Sequence, residues 1–185
     1  PVTPGARMPD VVGEMSAEAA ARADALKGEG NALLASSKYS LAAEKYTEAL
    51  EISPTSAIIY SNRAMVYIKM ESYGLAIADA TVALELDKTF VKAYYRRGSA
   101  YFALGKYKDA SDHYGRACQI DPENMPALHG MLQCHIIQKN YSDAEQQIEL
   151  FKVLGTMDSA QVVFLDAMLA WRRNHQLSKQ LELLE

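Results

Sequence analysis

The sequence predicts an all-α fold, a right-handed superhelical solenoid of antiparallel helix pairs with four repeats and a partial fifth. Residues of the same type recur every 34 positions along the 185-residue chain, and a period of this length is typical of repeats made of two helices. From Ser16 onward the sequence is rich in alanine, and only Pro54, Pro122 and Pro126 interrupt it. A single pair of short helices cannot bury its apolar face alone, so successive pairs must stack on one another.

The chain divides into three parts. Residues 1–15 hold three of the six prolines and show no helical periodicity, so they are predicted to be a disordered leader. Residues 16–124 are predicted to form a three-repeat peptide-binding module, and residues 125–185 a fourth and a partial fifth repeat. Within each unit, a first helix (helix A) is followed by an antiparallel second helix (helix B). The aligned units are 23–56, 57–90, 91–124 and 125–158.

Three rows of residues set the register of the repeat. They consist of Tyr39, Tyr73, Tyr107 and Tyr141; of Ala42, Ala76, Ala110 and Ala144; and of Ala49, Ala83, Ala117 and Phe151. The small residues, together with Gly30, Ala64 and Gly98 in helix A, are predicted where helices A and B approach closely. The eleven tyrosines all lie between residues 39 and 141, which favours core packing over a cofactor site.

The spacing and residue types of these rows resemble the tetratricopeptide repeat, and this resemblance implies a concave groove lined by A helices. Helices A at 57–70 and 91–106 contain six basic residues and no acid, whereas helices B at 40–53 and 74–88 each contain one base and three acids. Although the net charge of the chain is −4, the groove is therefore predicted to attract an anionic ligand.

Five polar residues fall on one strip of this groove, because residues three or four apart share a helix face. They are Lys27, Asn31, Asn62, Lys92 and Arg96. Their segments LKGEGN, YSNRA and VKAYYRR resemble the repeat domains of Hsp90/Hsp70 co-chaperones, which hold two carboxylates in a clamp. Over about residues 20–115 the likeness is strongest to the serine/threonine protein phosphatase 5 family. The resemblance implies an Hsp90 or Hsp70 C-terminal peptide ending in Glu-Glu-Val-Asp as the partner, with the cations and amides as donors.

Further helix A positions surround this strip. Met65, Tyr95 and Ser99 fall on groove-lining positions and are candidate contacts for upstream residues of the peptide. Arg63 and Arg97 occupy a position that usually packs between helices, so they are left out of the clamp. Their stems are expected to pack while their charged heads reach solvent.

The C-terminal part departs from this pattern. The fourth unit has Leu132 where a small residue is expected and His135 where an aromatic residue is usual. Residues 127–172 resemble the tetratricopeptide subunit of the retrograde intraflagellar transport complex. A fusion of two repeat proteins, a divergent co-chaperone and part of a longer scaffold all stay open. Leu177, Leu181 and Leu184 form an apolar stripe, which favours a truncated solenoid that self-associates through its last helix.

Several classes of function are disfavoured. The acidic total argues against nucleic acid as a partner, and no apolar run is long enough to span a membrane. Cys118, Cys134 and the four histidines show no metal-ligand spacing, so neither a metal nor another cofactor is expected. No nucleophile with a base, phosphate loop or phosphatase signature occurs, so no catalysis is expected. The low cysteine count favours a cytoplasmic location, with nuclear and ciliary locations left open.

Overall fold

The computed structural model describes residues 16–155, 166–167 and 169–174. The predicted leader, the predicted leucine stripe and most of the partial fifth repeat lie outside the described residues. Between residues 16 and 155 the chain forms eight α-helices. They are α1 (Ala17–Ala35), α2 (Tyr39–Ile52), α3 (Ala57–Lys69), α4 (Tyr73–Leu86), α5 (Val91–Ala103), α6 (Tyr107–Ile120), α7 (Met125–Ile137) and α8 (Tyr141–Leu154). Residues 166–167 and 169–174 are helical as well.

These helices stack in chain order, which confirms the predicted solenoid of helix pairs. Each helix packs against the next one, and α1, α3, α5 and α7 also pack against one another as a continuous layer. The tyrosine row marks the first residue of every B helix in this range. No helix of the described part is long and apolar enough to cross a bilayer.

The turn from helix A to helix B has the same backbone conformation in all four repeats. One residue in each turn has a positive φ, namely Ser37 (58°), Glu71 (59°), Gly105 (72°) and Lys139 (63°). The next residue donates its N–H back into helix A, as Lys38 does to the Leu33 carbonyl at 2.9 Å, which closes a Schellman motif. Only the glycine adopts this φ without a Cβ clash, so in the other repeats the fold imposes the turn.

Close contact between helices A and B rests on the small residues, as predicted. Ala42, Ala76 and Ala110 have no exposed surface. A Cβ on Gly30 would lie 2.7 Å from Tyr46 Cε1, and a Cβ on Gly98 would lie 2.9 Å from Tyr114 Cδ1. The tyrosine rings therefore occupy the space that glycine leaves free, and their predicted packing role is confirmed.

The fourth repeat closes its core differently. Leu132, which replaces the expected small residue, is 2% exposed and packs in one cluster with Ile148, Phe151 and Leu169. A close approach occurs instead between repeats, because a Cβ on Gly130 of α7 would lie 2.5 Å from Tyr114 Cε2 on α6 of the preceding repeat. The larger apolar side chains thus fill the space between helices α7 and α8.

Candidate functional site

Three of the five predicted clamp residues form one hydrogen-bonded line across helices α1, α3 and α5. Asn62 Nδ2 donates to Asn31 Oδ1 at 3.2 Å, and Arg96 Nη1 donates to Asn62 Oδ1 at 3.1 Å. Both amide oxygens therefore accept hydrogen bonds inside the protein. This orientation leaves N–H donors of the two amides for a ligand.

Arg96 is the cation of this line, and its side chain is half-buried. Its Nη1 also donates to Ser61 Oγ at 2.6 Å, and Ser61 is completely buried. Burial lowers the pKa of the Arg96 guanidinium to about 10, so it remains charged at neutral pH. Among the described residues no carboxylate lies within 4.0 Å of Arg96. A half-buried cation with only neutral protein partners is suited to bind a carboxylate.

Asn31 is held in place by helix α2. Tyr46 Oη donates to Asn31 Oδ1 at 2.6 Å, and the Tyr46 side chain is fully buried against Gly30. Burial raises the pKa of Tyr46, which keeps its hydroxyl protonated and able to donate. Sequence reasoning treated Tyr46 as packing alone and overlooked Ser61 altogether. The sequence did contain a signal for this role of Tyr46, because the repeat register places it on helix B opposite Asn31 of helix A.

The two lysines of the predicted clamp lie one helical turn from this line. Lys92 precedes Arg96 by four residues on α5, is exposed and has no ion pair in the described part of the chain. Lys27 precedes Asn31 by four residues on α1 and pairs with Asp24, Nζ to Oδ1, at 2.6 Å. Because Asp24 is 72% exposed, this ion pair is weak and does not prevent Lys27 from pairing with another carboxylate.

The candidate upstream contacts occupy the next part of the A-helix layer. Met65 and Ser99 take the repeat position that Asn31 has in the first unit, and both are half-buried. Ser99 Oγ donates to the Tyr95 carbonyl at 3.0 Å and accepts from Tyr114 Oη at 3.3 Å. The Tyr114–Ser99 contact thus repeats the Tyr46–Asn31 contact, while contact of these residues with a peptide stays a prediction.

The groove is less basic than the sequence count predicts. Helix α5 ends at Ala103, before Gly105 turns the chain, so Lys106 lies outside it. Arg63 donates from Nε and Nη2 to the two oxygens of Asp79 at 2.7 and 2.9 Å, and its side chain is only 16% exposed. The expectation that its head reaches solvent is therefore wrong. Lys92 and Arg96 supply the unpaired charge of the α5 groove face.

The cysteines and histidines do not form a metal site in the part of the chain described. No group of three or more His, Cys, Asp or Glu side chains there could hold an ion. Cys118 and Cys134 are free thiols, and burial raises the pKa of each to about 11. They are therefore protonated and weakly nucleophilic at neutral pH.

Curated relatives fall into two groups. The chain is 45% identical over 58 residues to small glutamine-rich tetratricopeptide repeat-containing protein 2 of Saccharomyces cerevisiae, covering 31% of this chain and 17% of the relative. It is 35% identical over 127 residues to the Hsp70-Hsp90 organizing protein of Triticum aestivum, covering 68% and 22%. It is 32% identical over 81 residues to tetratricopeptide repeat protein 21B of Mus musculus, covering 43% and 6%. The chain therefore spans less than a quarter of the length of each relative.

Two solved structures share the fold. One is the first TPR of Spaghetti (RPAP3) bound to the HSP90 peptide SRMEEVD, with a TM-score of 0.63, 30% identity, and coverage of 64% of this chain and 94% of that chain. The other is the second TPR domain of human RPAP3 in complex with the HSP70 peptide SGPTIEEVD, with a TM-score of 0.60, 32% identity, and coverage of 63% and 97%. Both cover almost the whole of a domain solved with a bound peptide.

Family models match along most of the described chain. Tetratricopeptide repeat models match residues 30–71 and 57–90. The model of the tetratricopeptide repeat protein 21 second ARM domain matches residues 80–185, more than half of the chain. The chain thus belongs to the tetratricopeptide repeat proteins, as a member of the family described as the second ARM domain of tetratricopeptide repeat protein 21.

Proposed function

We propose that residues 16–124 bind the C-terminal acidic peptide of Hsp90 or Hsp70, the type that ends in Glu-Glu-Val-Asp. The observation that carries this proposal is the line of Asn31, Asn62 and Arg96, in which a half-buried guanidinium has only neutral partners among the described residues. The peptides in the two related RPAP3 structures end in EEVD, which supports this choice of ligand.

A terminal aspartate matches the chemistry of this strip. It carries two carboxylates, and Arg96, Lys92 and Lys27 are spread over two helices that face them. Each charge-assisted hydrogen bond contributes about 1.5–3 kcal/mol, and ordering of the peptide offsets part of the sum. A micromolar dissociation constant, about −8 kcal/mol, is therefore expected.

Calorimetric titration with the peptide Glu-Glu-Val-Asp tests the proposal. The free acid should bind, and its C-terminal amide should bind at least tenfold more weakly because one carboxylate is lost. Arg96→Ala should abolish capture of the free acid, while Arg116→Ala serves as a matched control because Arg116 contacts Gln119 on α6 instead. Equal affinity of acid and amide for the unmodified chain would refute the clamp.

A second candidate function is a scaffold segment of a multiprotein assembly, such as the intraflagellar transport complex. The observation in its favour is the match of residues 80–185 to the tetratricopeptide repeat protein 21 model. In this view residues 125–185 bind a folded partner, and a fusion of the two kinds of module stays open. Absence of peptide binding in every titration, together with co-purification of the chain in a large assembly, would favour this candidate.

Further proposals accompany the peptide-binding function. We expect no catalytic activity from this chain, and we expect it in the cytoplasm, with nuclear and ciliary locations left open. The likeness of this chain to the Hsp70-Hsp90 organizing protein of Triticum aestivum supports that location. Self-association through the leucine stripe stays a proposal that sedimentation velocity at several concentrations tests, because a constant monomer mass would contradict it.

A further inference from the structure

Apolar side chains are exposed along helix α4, on the side of the solenoid that the B helices form. Leu75 is 54% exposed, Leu86 is 41% exposed, and Val82 between them is half-buried. Because they stand four residues before, and three and seven residues after, Asp79, they share one helix face with it. Helix α4 contains no basic residue, and Glu85 is its only carboxylate besides Asp79. Leu75, Val82 and Leu86 therefore form an exposed apolar stripe, the α4 stripe.

The other B helices carry charge at the repeat positions of the α4 stripe. The corresponding residues are Leu41, Glu48 and Ile52 in α2, Asp109, Arg116 and Ile120 in α6, and Asp143, Leu150 and Leu154 in α8. The repeat thus tolerates charged side chains there, and its core does not require the apolar residues that α4 has. A contiguous apolar surface that packing does not explain is typical of an interaction site.

Arg63 of helix α3 shows that the α4 stripe faces helix α2. Its Nη1 donates to Thr47 Oγ1 on α2 at 2.9 Å, and its Nε donates to Asp79 Oδ2 on α4 at 2.7 Å. Thr47 shares its helix face with Glu44 and Glu51, three residues before it and four after it. An open hollow of about 420 Å³ lies along this face of α2. The residues around it are Ala43, Glu44, Thr47, Glu48, Glu51 and Tyr67. The α2–α4 groove therefore has the α4 stripe as one wall and an acidic face of α2 as the other.

The acidic wall keeps an excess of negative charge. Glu48 pairs with Lys45 at 3.0 Å, and Lys45 lies on the α1 side of the helix, with its Nζ 3.7 Å from Glu29 Oε2. Among the described residues no cation lies within 4.0 Å of Glu44 or Glu51. The charge of Arg63 in the floor of the groove is matched by that of Asp79. Around the ends of α2 and α4 the charges balance, with Glu71, Glu85 and Asp87 against Lys38, Lys69 and Lys88.

We propose that the α2–α4 groove binds an amphipathic helix of a partner protein, with an apolar face and with Lys or Arg along one edge. The apolar face packs on the α4 stripe, and the basic edge pairs with Glu44 and Glu51. The stripe extends over about 16 Å of helix axis, which matches three turns of a partner helix with anchors three or four residues apart. The groove lies on the B-helix side, whereas Arg96 belongs to the A-helix line, so both sites can be occupied together.

Charge distinguishes this occupant from two others that an apolar surface could bind. Helix α4 of a second copy has no Lys or Arg to pair with Glu44 and Glu51. An anionic membrane surface places phosphate groups against the same carboxylates, and like charges repel. A partner helix with a basic edge complements both walls of the groove.

Fluorescence anisotropy of a labelled peptide added to the full chain tests this proposal. The probe is an N-acetylated, C-amidated helical peptide of about 16 residues, with leucines on one face and lysines along one edge of that face. Two matched peptides have glutamate in place of lysine, or serine in place of leucine. The lysine peptide should bind, and either replacement should weaken binding at least tenfold. Excess Glu-Glu-Val-Asp should not displace the lysine peptide, because the two sites are separate.

Variants of the chain locate the binding surface. Val82→Arg should weaken the lysine peptide at least tenfold, and it should fold because α6 has Arg116 at the same repeat position. Leu150→Arg changes that position in α8 and is the matched control, with an expected effect below twofold. The double variant Glu44→Gln, Glu51→Gln should weaken binding severalfold and reduce its dependence on salt. Circular dichroism checks that each variant is folded.

Several results would overturn the proposal. Unchanged binding of the lysine peptide by folded Val82→Arg is one, and equal binding of the lysine and glutamate peptides is another. Sedimentation velocity at several concentrations and flotation with phosphatidylserine vesicles measure the two other occupants. A dimer or a vesicle-bound chain that Val82→Arg abolishes would assign the groove to a second copy or to a lipid surface instead.

Discussion

The hydroxyl of Tyr46 connects the core of the first repeat to the candidate clamp, and Tyr46→Phe isolates its contribution. The ring is fully buried, and the substitution keeps its packing against Gly30. What disappears is the 2.6 Å hydrogen bond to Asn31 Oδ1. Asn31 then keeps one longer hydrogen bond, from Asn62 at 3.2 Å, and its amide is held less firmly.

The lost hydrogen bond sets the expected magnitude. A hydrogen bond of this kind contributes about 1 kcal/mol net to folding, so Tyr46→Phe should lower the free energy of unfolding by about that amount. If the ligand must order the Asn31 side chain again, the binding free energy becomes less favourable by about 1 kcal/mol as well. That loss corresponds to a roughly fivefold higher dissociation constant. Urea unfolding and calorimetry with Glu-Glu-Val-Asp measure the two effects separately.

The third repeat offers a matched control. Tyr114→Phe removes the equivalent hydrogen bond to Ser99 at 3.3 Å, but Ser99 remains fixed by its bond to the Tyr95 carbonyl. Tyr114→Phe should therefore lower stability by a similar or smaller amount and leave the affinity for this tetrapeptide within twofold. Equal weakening of binding by the two variants would show that Tyr46 does not act through Asn31, and so would normal binding by Tyr46→Phe.

Three further predictions concern stability. Gly130→Ala places a Cβ 2.5 Å from the Tyr114 ring and should destabilise the chain by about 1–3 kcal/mol in urea unfolding, whereas an unchanged midpoint would contradict the close packing. Glu71→Gly should stabilise and Gly105→Ala should destabilise, each by about 1 kcal/mol in thermal unfolding, because both positions have positive φ; effects of the same sign would contradict this reasoning. Burial and a nearby arginine lower the pKa of His113 to about 4, so the unfolded chain binds the proton first and stability should fall from pH 6.5 to pH 4. Because solvent screens this half-buried ring, the loss should be less than about 3 kcal/mol, the value that corresponds to the full shift. His113→Asn should flatten that part of the pH profile, and an unaltered profile would rule out this histidine as the cause.

The sequence predicted the repeat architecture well because two short periods determine it. The 34-residue spacing fixes the length of each helix pair, and the 3.6-residue period fixes which side chains share a face. Asn31, Asn62 and Arg96 could thus be assigned to one line before any helix was packed, and the structure joins them by hydrogen bonds. Helix ends were predicted less well, as the early end of α5 at Ala103 illustrates.

The sequence alone could not predict which charged residues pair with one another. Arg63 and Asp79 stand 16 residues apart on different helices, and only packing brings them within 2.7 Å. Counting charges by helix therefore overestimated the basic character of the groove and assigned Arg63 to solvent. For the same reason the sequence did not predict the hydrogen bond from Arg96 to the buried Ser61, 35 residues away in the chain.

By itself, then, the sequence determined the all-helical solenoid and the register of its polar strip, since local periodicities decide both. The tertiary structure alone decided which cations are neutralised inside the protein and which stay available. Arg63 has a carboxylate partner, while Arg96 and Arg97 have none among the described residues. The physical reason is that the energy of a charge depends on its neighbours in space and on its burial, and neither is fixed until the helices pack.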